Sequence, residues 1–144
     1  PTAPASAPRY LIGVGSVTAA SGAGAELSQA ATDALRAALG RRAEVVLHNG
    51  AAAEAQRTMR AQRLRGHYFD ANVQSIEPRS GGVRASVSVV VTSYPGRVYE
   101  FESQTSITVS GARSDTLEAR VDAVRRAMES AAGRAIDQLN QGTP

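Results

Sequence analysis

From His67 to Gly111 apolar and polar residues alternate almost without a break. In the middle run Val83, Ala85, Val87, Val89 and Val91 share one face, and Arg84, Ser86, Ser88 and Thr92 share the other. The run before it sets Phe69, Ala71 and Val73 against Asp70, Asn72 and Gln74. The run after it sets Tyr99, Phe101, Thr105, Ile107 and Val109 against Glu100, Glu102, Gln104 and Thr108. A period of two with many β-branched residues predicts three half-buried strands. The first turn between them falls at Arg79–Gly82. The second uses Tyr94-Pro95-Gly96, whose Pro and Gly suit the centre of a type II turn. Such a meander has one apolar face, and helices from elsewhere in the chain must cover it.

Upstream the period changes. Tyr10 to Val17 is a short β-branched run, read as a first strand, and Ser16 to Gly24 is read as a Gly-rich loop. From about Ala23 to Leu39 the positions Leu27, Ala31, Ala34, Leu35, Ala38 and Leu39 follow the helical repeat, with Gly40 expected to close the helix in a left-handed cap. Ala43 to Leu47 predicts a second strand. A strand–helix–strand unit of this length implies parallel strands joined by a right-handed crossover. Asn49 is placed to cap a second helix from about Gly50 to Leu64, ended by Gly66. After the meander, Ser114 or Asp115 is expected to cap a long last helix with a stripe of Leu117, Val121, Val124, Met128, Ala131, Ala135 and Leu139. The expected order is β-α-β-α-β-β-β-α: an α+β fold with a single mixed sheet. Residues 1–8 (PTAPASAP) read as a Pro/Ala/Ser linker, 9–141 as one domain and 142–144 as a tail.

Composition narrows the function classes. The 144 residues suffice for one core, but the apolar stock is mostly Ala and Val, with 2 Phe and no Trp. All 16 basic residues are Arg, a bias that fits a GC-rich genome, and the net charge of +3 permits an anionic partner without requiring one. Without Cys there are neither disulfides nor thiolate metal sites. No apolar run approaches the roughly 18 residues that span a bilayer.

The candidate chemistry is sparse. Gly13 to Gly24 lies between a strand and a helix, where phosphate loops occur. It lacks the third Gly of a dinucleotide fingerprint, and no Lys exists for a phosphate loop. His48 and His67 have no metal-ligand spacing around them, and no Ser sits in a nucleophile elbow. Glu100 and Glu102 read as sharing a strand face, more a solvated surface than an acid–base pair. Neither an enzyme nor a cofactor is expected. Arg57, Arg60, Arg63 and Arg65 form a basic group with no acid between Ala55 and Gly66, a candidate anionic-partner patch. The scarcity of aromatics argues against nucleic acid as that partner. Val98, Glu100 and Glu102 are candidates for contacts along a strand edge.

The order of elements resembles a group of bacterial envelope domains. These are the soluble domains of the curli-secretion-channel protein, of the lipoprotein activators of penicillin-binding proteins, and of the N-terminal module of the Tol-system propeller protein. The resemblance is carried by Gly66 to Ile76 (GHYFDANVQSI), by Val87 to Thr92, by Pro95 to Tyr99 (PGRVY) and by the Ala-rich helix from Thr116 to Leu139. It implies a non-catalytic periplasmic or cell-surface module of a secreted or lipid-anchored protein, with an anchor upstream. Its partners would be other envelope proteins or copies of itself in a ring; long polar-faced strands and an Ala-rich helix would also support the repeating contacts of a ring or surface fibre.

Overall fold

A computed structural model describes residues 8–19, 24–48, 52–79, 81–94, 96–110 and 116–142. The elements are β1 (Tyr10–Ala19), α1 (Gly24–Gly40), β2 (Val45–His48), α2 (Ala52–Gln62), β3 (Arg65–Arg79), β4 (Gly82–Ser93), β5 (Tyr99–Ser110) and α3 (Leu117–Gly142). They build one five-stranded mixed sheet in the order β2-β1-β3-β4-β5. β1 runs parallel to both β2 and β3, and β3, β4 and β5 form the antiparallel meander. The fold is α+β, as the alternation and the helical repeats predict.

Topology decides which face each helix covers. The chain goes from β1 to β2 in one direction across the sheet, then back past β1 to β3 in the other. Right-handed crossovers in opposite directions must use opposite faces. So α1, with α3 beside it, covers the face of Tyr10, Ile12, Phe69, Val73 and the Val83–Val91 row. On the other face α2 packs Ala55 and Met59 near Leu11, Leu64 and Tyr94. The first face holds the main core. Val83, Ala85, Val87, Val89 and Val91 are all fully buried there. In α3, Ala119, Ala123, Ala127, Ala131 and Ala135 recur every fourth residue and are buried, so small side chains let this helix lie close on its neighbours. This row shifts the buried stripe from the expected one. Leu117 is 50% exposed and Val121 half-buried, whereas Ala132 and Ile136 are fully buried.

Several punctuation marks fall elsewhere than expected. Gly40 is the last residue of α1 without taking a left-handed conformation; among the described residues the left-handed ones are Arg63 (φ 56°) and Arg97 (φ 54°), with Gly24 and Gly81. Arg63 ends α2, and the Leu64 amide donates back to the Met59 carbonyl. Gly66 therefore does not terminate the helix. It is the second residue of β3, facing α2, where a Cβ would stand 2.5 Å from Met59 Sδ and 2.9 Å from Tyr94 Cβ. The β4–β5 turn is not type II, since Arg97 rather than Gly96 is left-handed and the Arg97 amide bonds Ser93 O at 2.8 Å. The α3 cap is Thr116, whose Oγ1 accepts from the Ala119 amide. Asn49, Ser80, Pro95, Ser114, Asp115 and residues 1–7 lie outside the described residues. Gly13 and Gly15 belong to β1, which runs on to Ala19, so these two glycines are strand residues rather than loop residues; residues 20–23 lie outside the described residues.

Candidate functional site

Three one-residue irregularities in the ladder set the geometry of the site. In β3 the register slips between Val73 and Ser75, which returns Ile76 to the core face. In β1 it slips between Val14 and Val17. In β5 it slips at Glu100: Phe101 pairs with Val91, but Tyr99 pairs with Thr92. A bulge changes the face on which successive side chains emerge. Tyr99 consequently leaves the apolar face predicted for it and is 63% exposed. Glu100 turns toward α3 while Glu102, opposite Val90, stays on the other face. The two carboxylates read as sharing a face are thus on opposite sides.

On the α3 side Glu100 meets His67, whose Nδ1 lies 2.5 Å from Glu100 Oε1. A carboxylate accepts only, so Nδ1 carries the proton and donates it. His67 is 6% exposed, and its Nε2 is buried without a hydrogen-bond partner among the described residues. An unpartnered buried polar group of this kind costs about 1–3 kcal/mol. The ring packs edge-on to Tyr10, and both border a crevice of about 280 Å³ with Arg65, Glu100, Phe101, Gln138 and Leu139. Sequence reasoning missed this arrangement. Tyr99-Glu100-Phe101 alternates perfectly, so nothing in it announces a bulge.

Beneath the crevice a polar cluster ties the start of the sheet to the end of α3. Asn140 Oδ1 accepts from the Tyr10 hydroxyl at 2.8 Å, and Asn140 Nδ2 donates to Glu44 Oε2 at 3.0 Å. Arg42 donates to both Glu44 oxygens and to Asp137. The Arg42 guanidinium holds the Glu44 carboxyl at a pKa of about 2, well below its ordinary 4.5, against the opposing effect of burial. Arg42 is correspondingly harder to deprotonate. The folded-state pKa is the depressed one, so the stabilisation is complete above pH 4.5 and is lost as pH falls from there toward 2. Glu44→Gln is expected to cost about 2 kcal/mol at pH 7, with Arg42 30% exposed and the pair partly screened. In urea titrations the variant and the parent should converge at the acid end of that window.

On the opposite face the β4–β5 turn is locked to the middle of the sheet. Arg97 stacks on the Tyr68 ring with its guanidinium carbon 4.0 Å from the centroid, and Nη1 donates to Asp70 Oδ2 at 3.2 Å. Asp70 also accepts from the Ser16 amide at 2.7 Å. Tyr68 packs in turn against Tyr94, with centroids 4.8 Å apart. Gly15 is required here, because a Cβ would run into the Asp70 carboxylate. An isolated Gly in a strand is the sequence signal for such a close approach. Holding Arg97 fixes the residues that follow, and Val98 is 65% exposed at the mouth of β5.

The structure divides the predicted basic group. Arg57, Arg60 and Arg63 are exposed on or just after α2, without ion pairs among the described residues. Arg65 shares the parity of His67 in β3 and lines the crevice on the other side of the sheet. His48 ends β2 opposite Gly13. Among the described residues no three His, Asp or Glu side chains converge as a metal site, and no helix is long and apolar enough to cross a membrane.

No protein-family model matches the chain, and no curated protein matches it in sequence. Solved structures do. A hypothetical protein from Chlamydia trachomatis superposes with a TM-score of 0.61 at 12% identity, over 88% of this chain and 96% of that one. A protein of the DUF330 family from Xanthomonas campestris gives 0.55 at 9% identity, over 99% and 93%. The PelC dodecamer from Paraburkholderia phytofirmans gives 0.50 at 15% identity, over 89% and 88%. What this chain has in common with all three is its fold.

Proposed function

We propose that this chain is a non-catalytic assembly module of the bacterial cell envelope, and that copies of it associate through the outer edge of β5. The observation that carries this reading is the edge itself. β5 is 12 residues long and, among the described residues, has a neighbour only on its β4 side. Of the three exposed large hydrophobic residues among those described, Val98 and Tyr99 both stand where it begins. An extended edge offers a row of backbone donors and acceptors, and apolar side chains at its mouth add an anchor. The Arg97 lock prearranges that anchor, which lowers the ordering cost of association. Support for self-association comes from PelC, a dodecamer with the same fold. Support for the envelope comes from the resemblance in element order and from the Pro/Ala/Ser composition of residues 1–8.

Light scattering across a wide concentration range tests the reading. The parent should show a mass at multiples of 15.0 kDa. Val98→Asp should weaken association at least tenfold, while Leu117→Asp, at a residue also exposed but at the start of α3, should leave it unchanged. Equal effects from both would count against the edge. The three exposed Arg on or just after α2 support a second reading, contact with an anionic surface, which requires binding that weakens steeply with salt.

A further inference from the structure

We infer that the crevice bounded by the start of β3, the β5 bulge and the last turns of α3 binds a carboxylate group. Its polar wall has the required parts. Arg65 is exposed and its guanidinium makes no ion pair or hydrogen bond among the described residues. His67 is buried, with Nδ1 committed to Glu100 and Nε2 without a partner among the described residues. Protonated at Nε2, the imidazole would offer a second donor, its charge balanced by Glu100. A planar guanidinium pairs well with a carboxylate, and one oxygen would remain for His67. Nε2 is itself enclosed, so an oxygen reaches it by displacing a wall group; exposed Arg65 and Gln138 are the wall groups free to move.

The rest of the wall selects among anions. Phe101 and Leu139 give it an apolar side, which suits a carboxylate carrying a hydrophobic substituent. Glu100 lines the same crevice and disfavours a second negative charge, which counts against phosphate. A volume of about 280 Å³ admits a small branched acid or the last residue of a peptide.

The test is a titration of the full 15N-labelled chain, following the His67 ring nitrogens and the Arg65 Nε–H. The probes are 3-methylbutanoate, 3-methylbutanamide, and a short peptide ending in leucine with a free or an amidated C-terminus. Carboxylates should give saturable shifts at both residues and the amides none. Arg65→Gln, a surface change, should weaken the response at least tenfold, and Val98→Asp should not alter it, so this site and the β5 edge can fail separately. A free-carboxylate peptide bound tenfold tighter than the small acid would assign a peptide C-terminus, and the reverse order a small organic acid. Absence of a saturable response, equal shifts with amides, or full affinity in Arg65→Gln would overturn the inference.

Discussion

Phe69→Ala is expected to lose about 4 kcal/mol of stability, the largest single effect in the core. Phe69 is fully exposed to neighbours and not at all to water: its side chain is 0% accessible on the face covered by α1 and α3. The chain has only 2 Phe and no Trp, and the helix face of α3 is mostly Ala. Short side chains cannot swing into a vacated ring volume, so most of the cavity would persist. A domain of this size has a total stability of about 5–15 kcal/mol, so the variant should sit near its unfolding midpoint in little denaturant. Urea unfolding followed by circular dichroism measures the loss. A cost below about 1.5 kcal/mol would show that the core collapses around the site and is less rigidly packed than its burial implies.

Gly66→Val is expected to cost about 3 kcal/mol, and for a different reason. The first atom added at this position would sit 2.5 Å from Met59 Sδ and 2.9 Å from Tyr94 Cβ. Met59 is flexible and can retreat. Tyr94 Cβ is attached directly to the backbone at the end of β4 and cannot, and its ring is packed on Tyr68. Relief therefore requires α2 or the β4–β5 turn to move off the sheet. Thermal unfolding should show the loss, and hydrogen exchange should show faster opening of α2 than of α1. Unchanged stability would mean that the contact between α2 and the sheet is looser than these distances indicate.

What the sequence conveyed and what it withheld follow from the range of each interaction. The alternation of Val83 to Val91 and the helical spacing of Leu27 to Leu39 are local, and both appear where they were expected. Ends were read less well because caps depend on single residues. Arg63 takes a left-handed conformation that its residue type does not advertise, and Gly40 declines the one that its type invites. The β5 bulge was invisible, since an extra residue inside a regular alternation leaves the pattern unchanged while moving Tyr99 and Glu100 to new faces. The consequences reach across 33 positions to His67, a partnership no local window contains. Val98 is only a candidate edge contact on the sequence, because the order of strands in space is not written in a local pattern; it lies just before β5, the last strand of the sheet among the described residues.

The proposed association of copies through β5 is tested most directly by hydrogen exchange on its backbone amides, read across a wide range of protein concentration. The alternate β5 amides that point away from β4 should exchange rapidly in the dilute sample and at least tenfold more slowly in the concentrated one. Protection that appears on α2 or elsewhere while those amides stay fast, or a chain that remains monomeric at every concentration, would contradict the assembly role assigned to this edge.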